Sequence, residues 1–387
     1  MTDISPSRSR HLPDPPNEAR DAVNHAVAAL RRGGVVAFPT ETVYGLGANA
    51  FDPAAIARVF ALKGRPSNNP LIVHVSGPAM AQRVVTRWTD AAETLASAFW
   101  PGPLSIILPK RPDVPDTVTA GGPNVAVRAP NHPLALALLF AFDGPLVGPS
   151  ANKSGCVSPT RAQHVRDAFR LTADQSTDLN TPSLLDGGHC DVGIESTVIS
   201  LVGPQPRILR PGALGAEQLS DALGQRVIDH HQTHPAHQAP HSAADPLPSP
   251  GLLASHYAPR AKAILVPPDQ LVAAIKSHRG HIVVLARGLA ELPPGPTVIH
   301  MPPDAAGYAA FIYEALHQAD NAGNTDNAGN TCNTSSTSDT GGTGGTGGTG
   351  GTGPDAILIE EPPTTADDPI SAAIWHALWD RLRRATA

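Results

Sequence analysis

Three cysteines in 387 residues, Cys156, Cys190 and Cys332, stand far apart, and no C-x-x-C pair exists. That scatter excludes a disulfide framework and a cysteine-based zinc site, and it is the usage of a reducing compartment. Charge is sparse as well: 16% of residues are Asp, Glu, Lys or Arg, and the formal net charge is −6. A coat for nucleic acid or for an anionic membrane needs a positive balance, so any polyanion site must be a local cluster of Arg and Lys. No run approaches the ~18 apolar residues of a membrane helix. The N-terminus is polar and proline-rich with no apolar core segment, so no signal peptide is expected and the reading is a cytoplasmic protein.

What is present is a hydrophobic content of 41% over a length that admits two domains. The chain is organised around Phe38-Pro39-Thr40-Glu41-Thr42-Val43-Tyr44-Gly45-Leu46-Gly47-Ala48-Asn49-Ala50. Val35 to Phe38 reads as a buried strand. Thr40, Glu41 and Thr42 set hydroxyls and a carboxylate at its exit, where open α/β sheets place ligands. Gly45 to Ala50 matches the G-x-G-x-x-A dinucleotide pattern. Against that, the next helix starts only at Asp52-Pro53 and no acidic residue closes the following strand. Alone, the stretch reads as a glycine-rich turn.

The rest alternates. Val23, Ala26, Val27 and Leu30 give one helical face, ended by Gly33-Gly34. Asp52 caps a helix with Pro53 at its first position and Gly64 past its end. Leu71–Val75, Leu104–Leu108, Val125–Arg128, Ser196–Leu201 and Ile208–Arg210 read as strands. Thr89, Pro133 and Ser158-Pro159-Thr160 each open a helix. So many strands predict a mixed sheet. From Lys262 the order becomes βαβ, a small parallel sheet. Between the halves, His230, His231, His234, His237 and His241 sit among Gln, Ala and Pro at spacings that match no metal site, as in a solvated linker. Asn321–Gly353 ends in Gly-Gly-Thr repeats and cannot bury enough apolar surface to fold.

Several short blocks recur in one order: the Phe38–Ala50 stretch, Lys63-Gly64-Arg65-Pro66, Asn69-Pro70-Leu71-Ile72-Val73-His74, Trp100-Pro101-Gly102-Pro103-Leu104, Val125-Ala126-Val127-Arg128, Pro149-Ser150-Ala151-Asn152 and Glu195-Ser196-Thr197. Together they resemble the YrdC-domain family over roughly residues 20–215. Ser249-Pro250-Gly251 and His256-Tyr257-Ala258-Pro259 resemble the linker of its long, two-domain form.

The resemblance implies an α/β fold: a YrdC-like twisted mixed sheet with helices, and a smaller Rossmann-like C-terminal α/β domain. The expected organisation is a disordered arm at 1–18, a catalytic domain at 19–225, a linker or lid at 226–260, and the C-terminal domain at 261–387 with its insertion at 321–353. The implied reaction joins L-threonine, bicarbonate or CO2, and ATP into threonylcarbamoyl-AMP with release of pyrophosphate, for N6-threonylcarbamoyladenosine in tRNA. Residue by residue, it carries catalysis to Lys63, Arg65, Ser150 and Asn152. Threonine goes to Thr42, His74, Arg128, Gly148 and Ser196. ATP goes to Arg65, Asn69, Asn124, Ser150, Ser158, Arg210 and Tyr257. No residue is assigned to a protein-held metal; Mg2+ is expected with ATP, held by phosphates and water. The product is expected to pass to the tRNA threonylcarbamoyl-transfer machinery, with weak tRNA binding and no membrane partner. The middle of the linker, Leu252 to Ser255, departs from the family pattern.

Two other readings stand beside this one. A YrdC-type transferase using carbamoyl phosphate usually carries zinc-finger-like cysteines and an acylphosphatase-like segment, which are missing. A non-catalytic RNA-binding module calls for a positive overall charge. Ser150-Ala151-Asn152-Lys153 also matches S-x-x-K of penicillin-binding enzymes, whose companion motifs are absent.

Overall fold

The computed structural model describes residues 17–229, 247, 249, 256–288, 292–322 and 353–387. Most of the expected arm, the histidine-rich segment and nearly all of the Gly-Gly-Thr insertion lie outside the described residues. Asn17 and Glu18, placed in the arm by pattern, already belong to the first helix.

The first unit runs α1 (Asn17–Arg31), β1 (Val36–Phe38), β2 (Gly45–Asn49), α2 (Pro53–Lys63), β3 (Ile72–His74), α3 (Pro78–Ala81), α4 (Asp90–Phe99), β4 (Leu104–Pro109), β5 (Asn124–Arg128), α5 (Pro133–Phe142), β6 (Leu146–Val147), α6 (Ala162–Phe169), β7 (Ser183–Leu184), β8 (Thr197–Ser200), β9 (Arg207–Arg210) and α7 (Ala216–Leu223). Its strands form one sheet in the order β7-β1-β2-β6-β3-β5-β4-β8-β9. Pairing is mixed: β3 lies parallel to β5 and antiparallel to β6, and β4 parallel to β8 and antiparallel to β5. Local chemistry sets the helix ends that matter. Asp52 accepts the Ala54 and Ala55 amides, and Gly64 closes α2 at φ 62°, the left-handed conformation that glycine adopts without strain.

The second unit runs β10 (Lys262–Val266), α8 (Leu271–Ser277), β11 (Ile282–Ala286), β12 (Thr297–His300), α9 (Ala305–Asn321), β13 (Ala356–Glu360) and α10 (Pro369–Ala385). Its sheet has the order β10-β13-β11-β12 and every pair is parallel. The mixed sheet and the small parallel sheet both follow the sequence expectation.

Two local expectations change. Gly45–Asn49 is neither a turn nor a dinucleotide loop but strand β2, antiparallel to β1. The Phe38 ring decides this: a Cβ at Gly45 or Gly47 would lie 2.8 or 2.9 Å from its ring atoms. The glycines therefore make room for an aromatic side chain within the sheet. Ser158–Thr160 does not open a helix, because the Pro159 carbonyl accepts the Tyr44 amide and the Thr160 carbonyl accepts the Cys190 amide. The next helix, α6, begins at Ala162. The short elements α3, β7 and α7 lack a periodic signal long enough to read from sequence.

The two units share one apolar cluster. Val43, Val157 and Ile194 of the first pack with Tyr257, Tyr308, Ile312, Tyr313, Trp375 and Leu378 on the C-terminal side. Gly193 permits the approach, since a Cβ there would sit 2.4 Å from the Ala309 carbonyl oxygen on α9.

Candidate active site

A cavity opens at the strand ends of the first unit, against His256 and Tyr257, and its lining includes Thr40, Thr42, Arg65, His74, Arg128, Gly148, Ser150, Glu195 and Arg210 as well. Strand ends build most of it: β1 leads into Thr40–Thr42, β3 ends at His74, β5 at Arg128 and β9 at Arg210.

The β1 exit is rigid. Thr40 Oγ1 donates to the Val43 carbonyl (2.6 Å) and accepts the Thr42 and Val43 amides (3.2 Å each). Thr42 Oγ1 accepts Arg128 Nη1 at 2.8 Å. Arg128 Nη2 lies 2.7 Å from Glu41 Oε2, with both side chains buried, and Arg128 Nε donates to the Gly102 carbonyl. An isolated buried charge would be costly, and pairing offsets that cost. His74 meets Phe38 edge-on with ring centroids 5.3 Å apart. Its Nδ1 has no hydrogen-bond partner among the described residues. Burial, then the Arg128 charge, hold its pKa well below the ordinary value, so the ring is neutral at pH 7. Gly148 faces it closely: a Cβ there would lie 2.5 Å from His74 Nδ1.

Arg65 is held by its own loop, with Nε donating to the Asn69 carbonyl and Nη2 to Asn69 Oδ1 (2.6 Å) and the Pro70 carbonyl (2.7 Å). Burial lowers its pKa to about 9, leaving it charged at pH 7. Lys63 does not line the cavity. Its ammonium donates to the carbonyls of Ser150 (2.6 Å) and Asn152 (2.7 Å). It thus pins the Pro149–Asn152 loop from behind, and burial pulls its pKa well down. Asn152 also turns inward, donating to the Lys153 and Cys156 carbonyls. Lys153 donates to the Leu62 carbonyl. Arg210 grips Ser196, donating through Nε and Nη2 to its carbonyl and through Nη2 to its hydroxyl (3.1 Å).

The far wall comes from the end of the linker. Tyr257 is fully buried at φ 63°, its ring stacked on Tyr313 at 5.7 Å. Its hydroxyl lacks a hydrogen-bond partner among the described residues, and burial raises its pKa to about 12. His256 lies edge-on to it at 4.0 Å.

The structure therefore brings Thr42, Arg65, His74, Arg128, Gly148, Ser150, Arg210 and Tyr257 onto one cavity. Lys63, Asn69, Asn152, Ser158 and Ser196 stand directly behind that lining, each through a bond to a lining residue or loop. Asn124 starts β5, four residues before Arg128, and is outside the lining. Sequence reasoning placed Thr40 at the ligand end of β1 without assigning it a substrate, and gave no role to Glu195 or His256. Glu195 was visible within the Glu195-Ser196-Thr197 block, and His256 beside Tyr257; the helix positions Tyr313 and Arg381, which reach Glu195, carry no such signal. Among the described residues, no cluster of three or more His, Cys, Asp or Glu has the geometry to hold a metal ion.

Fold and site define an α/β protein with an arginine-lined pocket walled on one side by the linker that leads into a second α/β unit. Comparison with known proteins narrows this. Residues 28–212 match the Sua5, YciO and YrdC family, described as Telomere recombination, and residues 215–387 match the family described as Threonylcarbamoyl-AMP synthase, C-terminal domain. The threonylcarbamoyl-AMP synthase of Pyrococcus abyssi is 38% identical over 307 residues, 77% of this chain and 85% of that protein. The Bacillus subtilis protein of the same name is 42% identical over 240 residues, 62% of this chain and 65% of its own. The structure of P. abyssi Sua5 complexed with L-threonine superposes with TM-score 0.73 at 33% identity, covering 94% of each chain. The chain belongs to the threonylcarbamoyl-AMP synthase family in its two-domain form.

Proposed function

We propose that this chain condenses L-threonine, bicarbonate or CO2, and ATP into L-threonylcarbamoyl-AMP and pyrophosphate. The observation that carries the reading is the single cavity in which Arg65, Arg128 and Arg210 converge with Thr42, a neutral His74 and Tyr257. The chemistry needs no covalent nucleophile. The threonine nitrogen bonds to carbon: with CO2 a C=O π pair moves to oxygen and the nitrogen gives a proton to solvent, and with bicarbonate the hydroxyl leaves with that proton as water. A carbamate oxygen then attacks the α-phosphorus as the bond to the β-phosphate breaks. Positioning and charge stabilisation do most of the work in such a reaction.

The residues divide accordingly. Arg128, fixed on three sides by Thr42, Glu41 and the Gly102 carbonyl, presents a fork to the threonine carboxylate. A neutral His74 adds no second cation beside the amine. Arg65 and Arg210 face the phosphates. Lys63 acts through the loop whose carbonyls it holds, keeping Ser150 at the cavity. Tyr257 shields the labile carbamate and adenylate from water. Mg2+ would enter with ATP, neutralising phosphate charge, with phosphate oxygens and water as its ligands. Among the described residues the one lining carboxylate, Glu195, already accepts bonds on both oxygens, which agrees with a metal carried by the nucleotide. The product would serve N6-threonylcarbamoyladenosine formation in tRNA.

Pyrophosphate release by purified protein tests this, with threonine and bicarbonate each present or omitted. Release should need both and be lost in Arg65→Ala and Lys63→Ala. No release from folded protein with Mg2+ sinks the reading. Release without threonine moves it to another acceptor.

A further inference from the structure

The C-terminal domain reaches the pocket through one carboxylate. Glu195 lines the cavity. Its Oε1 accepts the Ser158 hydroxyl at 2.6 Å, a contact internal to the first domain. Its Oε2 is held entirely from the second: Tyr313 on α9 donates its hydroxyl at 2.9 Å, and Arg381 on α10 stands 3.4 Å away through Nε. Arg381 is 1% exposed, among the most buried large side chains described. Its remaining nitrogens also reach the first domain, Nη1 donating to the Pro211 carbonyl (2.5 Å) and Nη2 to the Glu195 carbonyl (3.3 Å). Pro211 directly follows Arg210 of the anion site. The same guanidinium lies 5.9 Å from the centre of the Tyr257 ring. One side chain of the last helix thus touches the cavity carboxylate, the loop after Arg210 and the tyrosine of the far wall.

We propose that Arg381 is a positioning residue of the nucleotide pocket, fixing the Glu195 carboxylate and the Tyr257 ring so that the C-terminal domain forms part of the active site. Helix packing alone gives no reason to bury a guanidinium, since an apolar side chain of similar size would pack as well or better. The charge makes sense against Glu195, 3.4 Å from Nε, with Asp380 of the same helix a second carboxylate 3.5 Å from Nη1. Other ionisable groups facing the Glu195 carboxylate are Arg210 from β9, Lys63 from the end of α2, Tyr313 from α9, and His256 and Tyr257 from the end of the linker. Although burial alone would raise it, the Glu195 pKa is lowered, with Arg381 the foremost opposing charge and Arg210 next. An ionised Glu195 balances the cluster of cations before ATP arrives and keeps the Ser158 and Tyr313 hydroxyls oriented. Without Arg381 the carboxylate would take up a proton at higher pH, and both the local charge and the aromatic wall would change.

The kinetic test rests on the function proposed above; a second arm does not. Arg381→Met, Arg381→Lys, Glu195→Gln and the double variant Arg381→Met/Glu195→Gln are compared, with Arg383→Met, on the same helix over Trp379, as control. In Arg381→Met, ATP affinity by calorimetry should weaken at least tenfold. The threonine KM should change less than twofold, and the acid limb of kcat/KM for ATP should move up by one pH unit or more. Arg381→Lys should restore part of each, Glu195→Gln should lack the acid limb, and the double variant should be no worse than the worse single one. In the second arm, acid unfolding of Arg381→Met should shift to higher pH and be restored by adding Glu195→Gln, whether or not the protein releases pyrophosphate. An unmoved acid limb with an unmoved acid midpoint, in folded Arg381→Met, overturns the proposal. So does a loss of activity that follows melting temperature alone and that lysine does not rescue. Wild-type protein that neither binds ATP nor releases pyrophosphate fails the function, and the acid midpoints then decide Arg381 by themselves.

Discussion

The two sheets bury different things. Around the nine-stranded sheet, Glu41, Lys63, His74, Arg128, Glu195 and Arg210 are all buried, and all but Lys63 sit at or beside one cavity. The four-stranded sheet is conventional: β11 and β13 are buried along their whole lengths and consist of Ile, Val, Leu and Ala until Glu360, which accepts the Arg287 and Gly288 amides. Parallel sheets covered on both faces read as such continuous apolar runs. Buried charge costs stability unless it is paired, and cores tend to exclude it. Its gathering around one cavity marks where the fold serves chemistry, while the smaller unit's buried Glu314, Asp320 and Arg381 lie on its helices and not in its sheet. The smaller unit contributes to that chemistry through side chains of its helices, Tyr313 and Arg381.

The comparison can be broken most severely at Arg128. Arg128→Ala leaves Glu41 buried and unpaired, a loss of about 3–5 kcal/mol. Urea unfolding should register that loss and turnover should vanish. A similar loss placed in the small sheet should look different. Leu358→Ala, in the apolar cluster of Leu271, Ile275 and Val284, is expected to cost about 2–5 kcal/mol. Activity per folded molecule, measured well below the melting point, should stay at the wild-type level. If Leu358→Ala depresses kcat as strongly as stability, the division between the two sheets is wrong. Lys63→Ala should cost stability on the same scale, since it deprives the Ser150 and Asn152 carbonyls of a donor at about 1–3 kcal/mol each when unsatisfied, but it should abolish pyrophosphate release.

Acid should act on the seam. His164 and His317 stack at 3.8 Å between the domains, and burial lowers their pKa values to about 2 and about 4. Both are neutral when folded, whereas the unfolded chain protonates them below about 6.5. Below that value the unfolded state binds more protons, so stability falls with pH until the folded values are reached. Midpoint denaturant concentrations measured from pH 7 to 4 should decline, and His317→Gln should flatten the decline. The smallest effect is expected at Tyr257→Phe. Its hydroxyl has no hydrogen-bond partner among the described residues, so stability should change by less than about 0.5 kcal/mol, as where no named destabilising mechanism operates. A rise in the ATP KM without that stability change would locate the hydroxyl on the nucleotide.

Much of this was legible beforehand. Asp52, Pro53 and Gly64 announce α2 because capping is local chemistry, and the βαβ order after Lys262 announces the parallel sheet because its strands and helices keep their periods. Gly45–Asn49 was not legible as a strand. Its glycines lower strand propensity, and the reason for them, the Phe38 ring, lies seven to nine residues back and becomes a neighbour only when β1 and β2 pair. Lys63 was visible as a cation of the site, yet its ammonium faces two carbonyls of a loop almost ninety residues later. Sequence blocks mark which residues gather; they do not say which of them face the cavity and which stand behind it.

By itself, then, the sequence determined the elements whose causes are short-range: helix caps, alternation, the switch from a mixed to a parallel sheet, and the set of polar residues the site draws on. Tertiary structure alone decided the pairing of Arg128 with Glu41, the neutrality of His74 against Gly148, and the reach of Arg381 from the last helix to Glu195, 186 residues earlier. The physical reason is the same in each case. Burial and partner charge set the state of an ionisable group, and both depend on neighbours that only folding assembles.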